Sequence, residues 1–176
     1  MIATTEEQKG FRIKIELRWS NPSIWRTVSI PKGLSLAELH ELIQIVMGWE
    51  DYHLHQFKYK NRIIGVPHPE DWQEVEDERD VFVDEIFLRK GSRIEYEYDF
   101  GDGWIHDIIS LGPIKLEDKV FKVLDGAMAC PPEDCGGIYG YYRMLEILSD
   151  PEHEEHDEIQ GWMGDDFDPN RFEKAP

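Results

Sequence analysis

The sequence predicts an α+β fold, on three observations. Residues 11–19 and 94–100 alternate apolar and polar side chains, the period-two mark of a strand with one face on a core. Between them, an apolar stripe at helical spacing starts behind a Ser-x-x-Glu box and stops at a glycine. The length of 176 residues, 40% of them hydrophobic, suits one domain, burying roughly 70% of the unfolded surface.

In residues 11–19, Phe11, Ile13, Ile15, Leu17 and Trp19 are expected to point inward. Asn21-Pro22-Ser23 then punctuates, and residues 24–30 give a second strand that Pro31 ends, so the two form an antiparallel hairpin. Ser35 and Glu38 can each satisfy a free amide of a first helical turn. Leu36, Leu39, Ile43, Val46 and Met47 follow as the buried stripe, and Gly48 sits where a left-handed cap is needed. His40 lies at the edge of that stripe and reads as a core-margin histidine bonded to a carbonyl, not as a ligand.

Residues 52–59 read as a third strand with His53, His55, Phe57 and Tyr59 on one face. Residues 67–85 are acidic and proline-bearing, the composition of a long solvated surface loop. A second hairpin follows: residues 94–100 with Ile94, Tyr96, Tyr98 and Phe100 inward, a Gly-Asp-Gly turn at 101–103, and a return strand from Trp104 to Leu111. Residues 120–126 fit a further strand or an irregular crossing. Residues 137–149 have helical spacing, and Asp150-Pro151 both stops that helix and starts another carrying His153 and His156 on one face.

The net charge of −18 is uneven: residues 1–62 carry 9 basic and 7 acidic groups, residues 63–176 carry 10 and 30. This balance repels polyanions and disfavours nucleic-acid binding unless a local basic face or a metal overrides it. Arg12, Lys14, Arg18 and Arg26 are the one candidate face, and they read as solvent-side residues of the first two strands. No run approaches the ~20 apolar residues of a membrane span. The start lacks the basic and apolar regions of a signal peptide, so a cytoplasmic protein is expected. In that compartment two cysteines read as thiols or metal ligands, not as a disulfide.

The cysteines carry the one recognisable ligand pattern. Cys130 and Cys135, in C-x4-C spacing, precede His153 and His156 in H-x2-H spacing by seventeen intervening residues. Two thiolates and two imidazoles make a tetrahedral set that zinc accepts, although the histidine pair falls one residue short of the usual finger spacing. Asp99, Asp102, His106 and Asp107 make a second set around one hairpin, and Asp165, Asp166 and Asp168 a third. Either of the first two sets could hold a metal that activates water, which keeps a metal-dependent hydrolase as the alternative function. No convergent acid, base and nucleophile is visible, so no catalytic residue is assigned.

Four motifs occur together: SIWR (23–26), LAELHELIQIVMGWEDYHLHQF (36–57), YEYDFGDGWIHDI (96–108), and ACPPEDCGG with DPEHEEH (129–137 and 150–156). In these motifs and their order the chain resembles the plasmid ORF-three-like family, named for an open reading frame of an agrobacterial Ri plasmid. The resemblance implies a single α+β domain over residues 11–173, between a flexible start (1–10) and a tail (174–176). It implies a curved, roll-like sheet, mostly antiparallel or mixed, built from hairpins with flanking helices. Relatives in that family carry resolvase-like or insertion-element passenger labels, which implies a mobile-element association. Recombinase chemistry gathers arginines around a scissile phosphate; the arginines here are scattered and the aromatic motifs lie among acids, which argues against it.

The function expected from the residues is therefore a non-catalytic binding or interaction module, with zinc as a candidate structural staple. Its partner would be a protein or peptide, preferably basic. The binding-surface candidates are Trp25, Trp49, His53, His55, Asp99, Asp102, Trp104 and His106.

Overall fold

A computed structural model describes residues 8–172. The expected tail at 174–176 and most of the expected N-terminal segment lie outside these residues. Eight strands form one mixed, open sheet: β1 (Gln8–Leu17), β2 (Trp25–Pro31), β3 (His55–Tyr59), β4 (Arg62–Gly65), β5 (Val75–Asp77), β6 (Arg93–Tyr98), β7 (Trp104–Leu116) and β8 (Lys122–Ala127), in the order β5-β4-β3-β6-β7-β1-β2-β8. Every pairing is antiparallel except β4 with β5. Four helices accompany the sheet: α1 (Leu36–Met47), the single turn α2 (Val83–Ile86), α3 (Gly137–Ser149) and α4 (His156–Met163). The chain is thus a single α+β domain, as the alternation and the helical stripe require.

The β1–β2 hairpin forms in the expected register, Ile13 opposite Val28, and buries Phe11, Ile13, Ile15 and Leu17. Trp19 does not follow them. The strand ends at Leu17, Trp19 takes φ 64°, and its ring is exposed. Both halves of the α1 capping box are made: Ser35 Oγ accepts from the Glu38 amide at 3.2 Å, and Glu38 Oε2 accepts from the Ser35 amide at 2.8 Å. Gly48 closes the helix at φ 75°, a conformation that costs glycine little. Leu36, Leu39, Leu42, Ile43, Val46 and Met47 join the core formed with β1, β2, β3, β6 and β7.

The 67–85 segment departs from a solvated loop. It contributes β5 to the sheet edge, buries Val81 and Val83, and closes onto the start of α1 through Val83 N–H to Leu34 O at 2.9 Å. Apolar residues at 81 and 83 supplied the burial that its acids concealed. In the second hairpin Ile94, Tyr96 and Tyr98 are buried as expected, but Phe100 is half exposed, because Asp99 at φ 54° turns the chain out of the strand. Residues 150–155 form turns, so His153 precedes α4 and His156 is its first residue. The two histidines do not share a helical face.

Candidate functional site

The second and third turns of α1 and the segment after its cap meet β3 and β6 at one end of the core. His40, from α1, is buried: its Nδ1 lies 2.8 Å from the Tyr96 hydroxyl and its Nε2 3.0 Å from Asp51 Oδ1. Gln44, one helical turn on, donates to the same hydroxyl at 3.0 Å and accepts from the Asp51 amide at 3.1 Å, fixing Asp51 in its left-handed turn (φ 59°). His55, the first residue of β3, stacks flat on His40 with ring centres 3.4 Å apart and planes 3° from parallel. His55 Nε2 meets Glu78 Oε2 at 2.7 Å. Both side chains are less than a tenth exposed, so this pair is shielded from solvent. Burial, and then the neighbouring His55, push the His40 imidazole below its ordinary pKa, opposed by Asp51. Burial raises the Tyr96 phenol well above its usual value, so it stays a neutral hydrogen-bonding group.

A second group lies two residues before His55. His53 Nε2 is 2.8 Å from Asp134 Oδ1 and 3.7 Å from Asp99 Oδ2. Asp99 Oδ1 is held by the Gly101 amide at 2.9 Å, and its backbone amide bonds Leu54 O, tying the hairpin to the 52–55 segment. Tyr98 joins the two stretches again: its hydroxyl accepts from the amides of Tyr52 and His53 and donates to Glu133. Burial and that carboxylate both raise its pKa.

Glu133 and Asp134 reach this place because the chain before them is clamped. Arg26 is 5% exposed and donates to the carbonyls of Trp25, Ala127 and Met128 at 2.8–2.9 Å and to Cys130 Sγ at 3.0 Å. The reading of Arg26 as a solvent-side residue is corrected: its partners are carbonyls at the β2–β8 edge, which the strand alternation does not foresee. Gly137 (φ 68°) packs where a Cβ would come within 2.3 Å of the Asp102 carbonyl, and the Gly136 amide donates to Asp102 Oδ2 at 3.1 Å. Residues 23–26, 36–57, 96–108 and 129–137 of the motifs that carried the family resemblance therefore converge, with Arg26 positioning the last.

Both groups open onto a cleft of about 610 Å³. Asp51, His53 and His55 belong to its wall; Leu54, Val66, Trp72 and Phe100 give it an apolar, solvent-exposed rim.

Among the described residues, two groups of three or more metal-capable side chains bring their ligand atoms within 4.8 Å of one another: His40, Asp51 and His55, and His53, Asp99 and Asp134. Cys130, Cys135, His153 and His156 are in neither. Cys130 faces the Val46 carbonyl, the Met47 sulfur and Arg26, while Cys135 faces the Gly137 carbonyl. Burial raises these thiols to about 11 and about 12. His153 accepts from the Glu155 amide, and His156 lies beside Asp157. The expected tetrahedral set is therefore not assembled, because the turns of 150–155 replace the helix that was to present its imidazoles.

Of the surface candidates, His53 and His55 reach the cleft and Asp99 stands behind His53. Trp49, Trp104 and His106 are corrected to core residues, 6%, 1% and 0% exposed; Trp49 donates to the Pro131 carbonyl and stacks on Tyr98. Trp25 is half-buried under Lys14, and Asp102 caps Gly136 as described. His40, Asp51, Glu78 and Asp134 are the site residues that sequence reasoning missed. His40 was available as the one polar break in the α1 stripe beside an Asp-bearing turn. Glu78 carried no signal, being one acid of five between 74 and 80.

Fold and site together define an α+β domain with a histidine- and carboxylate-lined cleft at one end of its sheet. The chain belongs to the plasmid pRiA4b ORF-3-like protein family, whose profile matches residues 9–175. It is 36% identical over 167 residues to the uncharacterized protein y4hQ of Sinorhizobium fredii, covering 89% of this chain and 82% of that one. The crystal structure of MM3350 from Methanosarcina mazei Go1, a protein of unknown function, is similar with a TM-score of 0.85 and 34% identity, over 95% of this chain and 96% of that one. Among the described residues no helix is long and apolar enough to cross a membrane.

Proposed function

We propose that this protein is a binding module whose cleft takes an extended segment of a partner protein, one that carries basic side chains beside large apolar ones. The observation that carries this reading is the rim: Trp72 is fully exposed, and Leu54, Val66 and Phe100 stand out around it at 71%, 65% and 50%. A contiguous apolar rim of this kind on a charged surface is the usual mark of a contact site. The sign of the partner's charge follows from the lining. Asp51 and Asp71 belong to it, and no lysine or arginine does. The chain carries −18 overall, so a basic segment is drawn in and a nucleic acid repelled.

The test is selection from a random peptide library on the intact protein, followed by fluorescence-polarisation titration of the selected peptides. The reading expects enrichment of Lys or Arg next to Trp, Phe or Leu, and at least tenfold weaker binding after Trp72→Ser, since a buried aromatic anchor is worth about 2 kcal/mol or more. Absence of enrichment, equal selection of acidic peptides, or unchanged affinity in Trp72→Ser would sink it.

A further inference from the structure

We propose that His40, Asp51 and His55 form a binding site for a divalent first-row transition-metal ion, with zinc as the reference ion. Two imidazoles and one carboxylate match the three-ligand zinc sites that keep a fourth position open. Ligand bonds of about 2.0–2.2 Å to one ion place its ligand atoms roughly 3–3.5 Å apart. His40 Nε2 and Asp51 Oδ1 already stand 3.0 Å apart, and the ligand atoms of all three residues fall within 4.8 Å.

The surroundings are those of a metal site. A ligating histidine normally has its other ring nitrogen held by an oxygen that fixes tautomer and orientation. Here Tyr96 holds His40 Nδ1 and leaves Nε2, while Glu78 holds His55 Nε2 and leaves Nδ1. Gln44 ties this outer layer together, since it bonds both Tyr96 and the backbone of Asp51. The charge also balances. Asp51 and Glu78 each face a histidine at short range, so with both imidazoles neutral, as ligands must be, the group brings −2, which a divalent ion cancels. Asp51 is half exposed, and both it and His55 line the cleft, which gives the ion an entry path and turns the open position toward solvent. The two rings now lie face to face; sharing one ion turns their planes toward it, so their nitrogen resonances report binding directly. This site does not rest on the peptide-binding reading, and neither result decides the other.

The experiment titrates zinc into chelator-treated full-length protein against a chromophoric chelator, with imidazole 1H–15N spectra recorded alongside. One equivalent should bind, shifting the His40 and His55 ring nitrogens. Asp51→Asn preserves the shape of a half-exposed side chain and should weaken binding at least tenfold, as should His55→Ala. Glu78→Gln should cost about 10–100-fold, the usual effect of an outer-layer partner. Cys130→Ser and His153→Ala should bind as the wild type does. No stoichiometric binding, wild-type affinity in Asp51→Asn, or a loss that follows His53→Ala or Cys130→Ser instead would overturn the proposal.

Discussion

His106 gives the sharpest energetic prediction. Its ring is wholly buried between Trp49 and Tyr96, at centre distances of 5.6 and 5.7 Å. Among the described residues neither ring nitrogen makes a well-formed hydrogen bond, although the Trp104 backbone lies close enough to act on the ring, and Trp104 Nε1, on the same face of β7, also lacks a partner. Burial pushes the imidazole from 6.5 down to about 3; Arg18 adds to the fall, and the Trp104 backbone and Asp107 oppose it. The folded form therefore stays neutral at pH values where the unfolded chain takes up a proton. A depressed folded pKa means that stability is full above the unfolded value and is lost as pH falls toward the folded one, here from about 6.5 to about 3. With these two values the penalty is about 0.2 kcal/mol at pH 7 and about 2 kcal/mol at pH 5. His106→Leu removes the titrating ring and its two poorly satisfied nitrogens and puts an apolar side chain of similar size in their place. Urea unfolding of both proteins at pH 7 and pH 5 measures the difference, and the other histidines cancel in the comparison. The variant should be at least as stable at pH 7 and should gain about 2 kcal/mol over the wild type by pH 5. Equal pH slopes in the two proteins would show that His106 is not held neutral by burial.

Two further substitutions test how the site is held. Arg26→Met removes the guanidinium that donates to the carbonyls of Trp25, Ala127 and Met128 and should cost about 3 kcal/mol or more in urea unfolding, since buried charge-assisted bonds are lost; a loss below about 1 kcal/mol would show the clamp to be dispensable. Gly140→Ala puts a Cβ 1.8 Å from the Cys135 carbonyl. The loop carrying Asp134 must then move, at a cost of about 1–3 kcal/mol read from the thermal midpoint; an unchanged midpoint would contradict that packing.

The parts of the fold legible in the sequence are those fixed by local periodicity or caps. The β1–β2 hairpin, α1 with its Ser35–Glu38 box and Gly48, the β6–β7 hairpin, and α3 from Gly137 to Ser149 all fall where alternation or helical spacing puts them. The β3–β6 and β1–β7 pairings join segments far apart in the chain, and periodicity says nothing about which strands meet. The site was legible only in part for the same reason. His53 and His55 announced themselves by spacing, yet their partners Asp134 and Glu78 come from segments that looked like a cysteine turn and an acidic loop. His40 was read as bonded to a carbonyl; its actual partners are the Tyr96 hydroxyl and the Asp51 carboxylate, the first brought by β6 and the second by a left-handed turn after Gly48. The cysteine spacing misled because C-x4-C also suits a turn, and here the intervening Glu133 and Asp134 are the residues that reach the site.

Binding is expected in the cleft between the 51–56 segment and the 63–75 segment. Amide 1H–15N shifts of the intact protein, recorded while a library-selected basic peptide is titrated, test it most directly. The largest shifts should fall on Tyr52, Leu54, Val66, Trp72 and Phe100. Shifts centred instead on the cavity between α3 and α4, around Leu145 and Phe167, would contradict it.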